Sequence, residues 1–194
     1  MKKLLSVLLA ALMICLLTAC GNSSAETKSS APEAQPANKI LVAYFSCTGT
    51  TKRAALEVAE LLKADTFEIV PAQPYTPADL DYNIENCRSN VEQKDSAARP
   101  AISNKIENFS QYKAIIVAFP IWWGAEPRII DTFVESYDFS GKIVVPVCTS
   151  GGSDIQAAEK NLRELCKGAD FKEGKRLGII SKDEVKAWLD ALDL

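Results

Sequence analysis

Three short, nearly unbroken apolar runs decide what this chain can become. Lys39–Ser46 reads KILVAYFS, Ala114–Phe119 reads AIIVAF and Ile143–Cys148 reads IVVPVC. None alternates apolar with polar residues, so none has a solvent face. Such runs fit strands buried on both sides, as in a parallel sheet covered by helices. Segments of helical period lie between them. Ala55, Val58, Ala59 and Leu62 follow the first run; Ile130, Phe133, Val134 and Tyr137 follow the second, with Pro127 suited to the first turn. Ser153 and Gln156 read as a capping box for a helix carrying Ile155, Ala158, Leu162 and Leu165. Ser181 and Glu184 read as another, before Val185, Trp188, Leu189 and Leu192. A short strand is expected at Thr66–Val70 and a weaker one near Phe171–Leu177, while residues 71–111 read as irregular and polar. The alternation predicts an α/β domain over residues 39–194, a doubly wound parallel sheet of five strands. A ligand crevice then lies beyond the carboxyl ends of the strands.

The first 38 residues carry a different message. Lys2 and Lys3 precede an apolar run from Leu4 to Leu17 broken only by Ser6. That run is shorter than the ~20 residues a spanning helix needs and has the form of a bacterial secretory signal, residues 1–19. Leu17-Thr18-Ala19-Cys20 resembles the lipobox of bacterial lipoproteins, which implies a lipid on Cys20. The other reading is an ordinary signal that contains a cysteine. Residues 20–38 lack large apolar side chains apart from the cysteine and read as a disordered tether. The expected location is extracytoplasmic, lipid-anchored to a bacterial membrane.

Composition excludes several chemistries. There is no histidine, so no Ser-His or Cys-His pair and no His-ligated metal can form. The formal charge is −3, which argues against a nucleic-acid partner. Cys47, Cys87, Cys148 and Cys166 form no CxxC or metal-ligand pattern, and their spacing selects no disulfide pairing. Cys148 and Cys166 lie on apolar segments and read as core. No side chain stands out as a catalytic acid or base, so the chemistry is expected to belong to a bound cofactor.

Three loops at predicted strand ends carry the binding chemistry. Ser46-Cys47-Thr48-Gly49-Thr50-Thr51 offers hydroxyls and a glycine and opens into a helix, a setting that favours phosphate. No GxxxxGK[ST] or GxGxxG motif competes with it. Pro120-Ile121-Trp122-Trp123-Gly124 places two adjacent tryptophans whose side chains must diverge. One can stack on a flat ring while the other packs inward. Thr149-Ser150-Gly151-Gly152 offers small residues and bare amides for a ring's polar edge.

A phosphate cradle, an aromatic platform and an amide loop together describe a mononucleotide with a planar ring. From Lys39 to Leu192 the chain resembles the flavodoxin-like FMN-binding family, matching its phosphate loop and both ring loops at these residues. The resemblance implies strand order 2-1-3-4-5 and FMN as cofactor. It implies electron transfer, by a reductase or a carrier, with a redox protein or a small acceptor such as a quinone as partner. The other function class is a flavin-free binding module on the same fold. One departure stands out: no aromatic follows Cys148 until Phe171, so one ring face is expected to be open. Segment 71–111, with Tyr75, Tyr82, Arg88 and Arg99, is either a lid over the site or a surface excursion.

Overall fold

A computed structural model describes residues 39–178 and 180–194 of the chain. The signal, Cys20 and the tether lie outside the described residues. Strand β1 (Lys39–Tyr44) leads to α1 (Thr50–Leu62), β2 (Asp65–Glu68), α2 (Arg88–Lys94), β3 (Tyr112–Pro120) and α3 (Arg128–Glu135). Then come β4 (Ile143–Thr149), α4 (Gln156–Leu165), β5 (Asp170–Phe171), β6 (Lys175–Leu177) and α5 (Lys182–Asp190). All named strand pairs are parallel, in the order β2-β1-β3-β4-β5, with β6 also on β4. This is the doubly wound parallel sheet expected from the alternation of apolar runs and helical segments, in the order that the family resemblance implies.

Alternation within each strand feeds two cores. Leu41, Ala43 and Phe45, Ile115, Val117 and Phe119, and Val144 and Cys148 face one side of the sheet. There they meet Ile129, Ile130, Phe133 and Val134 of α3, and Ala158 and Leu162 of α4. Val42, Tyr44, Ala114, Ile116, Ala118, Val145 and Val147 face the other side. These pack on Ala54, Ala55, Val58 and Ala59 of α1, and Val185 and Leu189 of α5. Burying both faces of the central strands removes them from water, at about 1.5–3 kcal/mol for each large apolar side chain.

Several local expectations are corrected. The weak strand over 171–177 is split into β5 and β6. The Val144 carbonyl accepts from Lys172 N–H, so β4 residues in that register face the edge strand. Two residues on stands Pro146, which has no N–H to offer it. The edge chain leaves the ladder here, and the Gly174 amide turns instead to Glu159 at 2.5 Å. The Ser153–Gln156 capping box does not form. α4 begins at Gln156 with Ile155 as N-cap, so the glutamine is one residue into the helix and not three. The Ser181–Glu184 box does form. Pro127 is the N-cap of α3 rather than a residue of its first turn, and Tyr137 lies beyond that helix. Segment 71–111 is not wholly irregular: it holds α2 and single 3-10 turns at Ala78–Leu80 and Phe109–Gln111. Cys148 and Cys166 are buried core residues, and the four described cysteines are unpaired.

Candidate functional site

A cavity of about 740 Å3 opens at the carboxyl end of the sheet, where the connections from β1 and β3 diverge. That is the switch point at which open α/β sheets take ligands. Every cofactor-binding residue expected from the sequence lines it except Gly49 and Gly152. Ser46, Cys47, Thr48, Thr50 and Thr51 come from the first loop; Pro120, Ile121, Trp122, Trp123 and Gly124 from the second; Thr149, Ser150 and Gly151 from the third. Leu80, Tyr82, Ser89, Ser153, Leu177 and Gly178 complete the wall. Not one of these side chains is formally charged.

The first loop is shaped by Gly49. Its φ of 86° is left-handed, a conformation that penalises any side chain, and it is the N-cap of α1. Its N–H donates to Ser46 Oγ at 3.1 Å. The first intrahelical bond runs from Arg53 N–H to the Gly49 carbonyl. The amides of Thr50, Thr51 and Lys52 therefore have no helical acceptor and start the positive end of the helix dipole beside the cavity. Thr51 is buried, and its hydroxyl lies 2.7 Å from that of Thr149, which ties the start of α1 to the end of β4. Cys47 presents surface to the cavity, yet the protein around its sulfur pushes the thiol up to about 12; desolvation outweighs the nearby Arg88 charge. It is a neutral thiol and not an activated nucleophile.

The second loop is a tight turn. Trp122 N–H donates to the Ala125 carbonyl at 2.8 Å, and Ala125 N–H returns to Trp122 at 3.1 Å. Its central residues, Trp123 and Gly124, have φ of 50° and 84°, the double left-handed setting of a type I′ turn. The two tryptophans diverge as expected. Trp122 packs inward, edge-on to Phe45 and Tyr75 at centroid separations of 5.7 and 5.3 Å. Trp123 is 67% exposed on the cavity rim, with Tyr82 edge-on at 6.5 Å.

The third loop carries no aromatic, and Arg176 holds the Gly152 carbonyl at 2.8 Å from outside. Segment 71–111 does bound the site, through Leu80, Tyr82 and Ser89. Tyr75 is not a cover. Its ring lies under the Arg88 guanidinium at 3.9 Å, and its hydroxyl bonds Glu92. Only seven residues form α2, too few for a periodic signal that would have pointed to Ser89.

Beneath the tryptophan turn lies a buried acidic pair. Glu126 is 0% exposed and Asp131 1%. Asn161 Nδ2 donates to both carboxyl groups, at 3.2 Å to Asp131. Arg128 reaches Asp131 at 3.1 Å and Arg99 at 3.6 Å, whereas Glu126 Oε2 has no hydrogen-bond partner among the described residues. Burial, reinforced by the Asp131 charge, raises the Glu126 carboxyl to about 7. Burial raises the Asp131 carboxyl too, but its two arginines oppose that, so below about 7 the proton sits on Glu126 and the charge on Asp131.

The cavity fits a phosphorylated planar ligand: its walls combine free helix-start amides and hydroxyls from the first loop with aromatic and amide surface from the other two. The Flavodoxin family profile matches residues 39–192. A candidate flavoprotein from Bacteroides eggerthii is 46% identical, covering 80% of this chain and 98% of that one, with a TM-score of 0.77. Another from Bacteroides uniformis is 49% identical over 78% and 97% of the two chains, with a TM-score of 0.75. A Lactobacillus acidophilus flavoprotein in complex with FMN shares the fold at 20% identity, over 80% and 99% of the two chains, with a TM-score of 0.61. No curated protein shows a match to the chain. Fold, loops and family profile agree over the same residues, and the chain belongs to the flavodoxin family.

Proposed function

We propose that this protein binds FMN in the cavity at the sheet's carboxyl end and transfers electrons outside the cytoplasm, held at a membrane by a lipid on Cys20. One observation carries the reading: an uncharged cavity lined both by the start of α1 and by Trp123. Free amides of the first turn of α1, with the hydroxyls of Ser46, Thr48 and Thr50, would hold the phosphate without a lysine. Trp123 and the amides of Ser150 and Gly151 would bound the ring. Bound FMN would supply the electron-transfer chemistry, while the chain supplies binding, orientation and partial exclusion of water. The third loop leaves room beside the ring, which suits a small planar partner such as a quinone; a redox protein at the same rim is the other partner class.

Titration of apoprotein with FMN and with riboflavin tests this. Riboflavin leaves the phosphate donors unmatched, at about 1–3 kcal/mol for each buried group that loses its partner. FMN should therefore bind at least about tenfold more tightly, since ~1.4 kcal/mol is a factor of ten. Equal affinities would refute the phosphate assignment, and a protein that takes up neither would be a flavin-free module. A quinone offered to the photoreduced FMN-loaded form, and a reduced redox protein offered to its oxidised form, then separate the two partner classes.

A further inference from the structure

We infer that α2 is a clamp on the tryptophan turn, and that Asn90 is a positioning residue that holds Trp123 as a fixed wall of the cavity. The inference rests on the FMN reading for its consequence but not for its geometry. Asn90 is 3% exposed. Its Oδ1 accepts from Trp123 Nε1 at 2.6 Å. Its Nδ2 donates to the carbonyls of Tyr82 at 3.0 Å and Ile84 at 2.9 Å. An indole N–H can only donate and carbonyls can only accept, so one orientation of the amide satisfies all three bonds. A single buried side chain thus joins the cavity-bounding segment to the platform ring.

Gln93 lies one turn along α2, on the same helix face. Its Nε2 donates to the Trp122 carbonyl at 3.1 Å and the Glu126 carbonyl at 3.0 Å, gripping the turn on both flanks. Its Oε1 is buried without a partner, a cost accepted where the donors matter. The need for a clamp is visible in Trp123 itself. A bulky residue at φ 50° is strained, and a ring 67% exposed gains little from packing. Left alone, neither its backbone nor its rotamer would stay fixed. Hydrogen bonds from α2 hold both, and a ring held in place before the ligand arrives loses less entropy on binding.

Two readouts test the clamp. In the wild-type apoprotein the Trp123 indole proton should exchange slowly with solvent although its ring is exposed. Fast exchange would overturn the clamp whatever the variants do. Asn90→Leu should accelerate that exchange and weaken FMN binding about tenfold, read by flavin fluorescence. Trp123→Phe keeps an aromatic ring but removes the indole donor. In that background Asn90→Leu should cost roughly twofold or less, because the pair acts as one unit. An unchanged indole signal in Asn90→Leu, or equal losses in the two backgrounds, would overturn the inference. If wild type fails to bind FMN, the functional proposal falls, while the indole exchange still decides the clamp.

Discussion

Replacing Glu126 by glutamine should make the protein more stable at pH 8 and remove most of its pH dependence above pH 5. An ordinary glutamate titrates near 4.5, whereas burial and Asp131 raise Glu126 to about 7 in the folded protein. Between those values the folded state binds a proton that the unfolded state has released. Stability from this group is therefore complete below about 4.5 and is lost as pH rises through about 7. At 1.36 kcal/mol for each factor of ten, the difference is on the order of 3 kcal/mol. A domain of this size shifts in Tm by ~2–4 °C per kcal/mol, so the wild type should lose roughly 6–12 °C between pH 5 and pH 8. Asp79, Asp138, Glu135 and Glu184 have lowered values, set by hydrogen bonds to their carboxylates, so their contribution runs the other way and is gained as pH rises, whereas burial raises Asp131 in the same sense as Glu126. Glutamine keeps an acceptor for Asn161 and brings N–H donors in place of the acid proton. Differential scanning fluorimetry of both proteins across pH 5–8 is the assay. A flat wild-type profile, or the same slope in Glu126→Gln, would refute the assignment of that proton to Glu126.

Other perturbations separate structure from binding. Trp122→Ala should lower stability by about 2 kcal/mol through lost packing on Phe45 and Tyr75; a Tm equal to wild type would contradict this. Trp123→Ala loses little packing and the one bond to Asn90, so it should lower the thermal transition less than Trp122→Ala while weakening FMN binding, with stacking worth about 0.5–1.5 kcal/mol beyond area; unaltered FMN affinity would remove Trp123 from the platform. Gly174→Ala would set a methyl 2.7 Å from the Pro146 carbonyl oxygen, so chemical denaturation should show a loss of about 1–3 kcal/mol. Cys20→Ser should shift the protein from membrane to soluble fractions with FMN affinity unchanged, and continued membrane retention would point to another anchor.

Most of the fold was legible because the apolar runs of β1, β3 and β4 have no polar side, a pattern that few other folds accommodate. The three ligand loops were legible for a related reason: each follows such a strand at the end where ligands gather. The edge of the sheet was less so. Pro146 interrupts its partner's hydrogen bonding across the sheet, a non-local effect invisible in the residues from Phe171 to Leu177. The contribution of α2 was hidden by its brevity and by prolines around it. Asn90 and Gln93 look like ordinary polar surface residues in the sequence, and only tertiary contact turns their amides into buried partners.

The features that break local rules gather in one place. Trp123, bulky and exposed in a left-handed turn, and Glu126, an acid with no counter-charge of its own, stand three residues apart on the connection after β3. Neither suits its local environment, and each is held by an amide from a helix that flanks the connection: Asn90 from α2, Asn161 from α4. Such conflicts persist only where the surrounding structure over-determines them. Here that structure is the doubly covered sheet, whose β3 and β4 anchor the connection through the Ile121 to Thr149 backbone bond. While Glu126 holds its proton, below about 7, the charge beneath the turn is one carboxylate matched by two arginines. The cavity above remains free of formal charge, so an anionic ligand meets the start of α1 without an opposing acid on its walls.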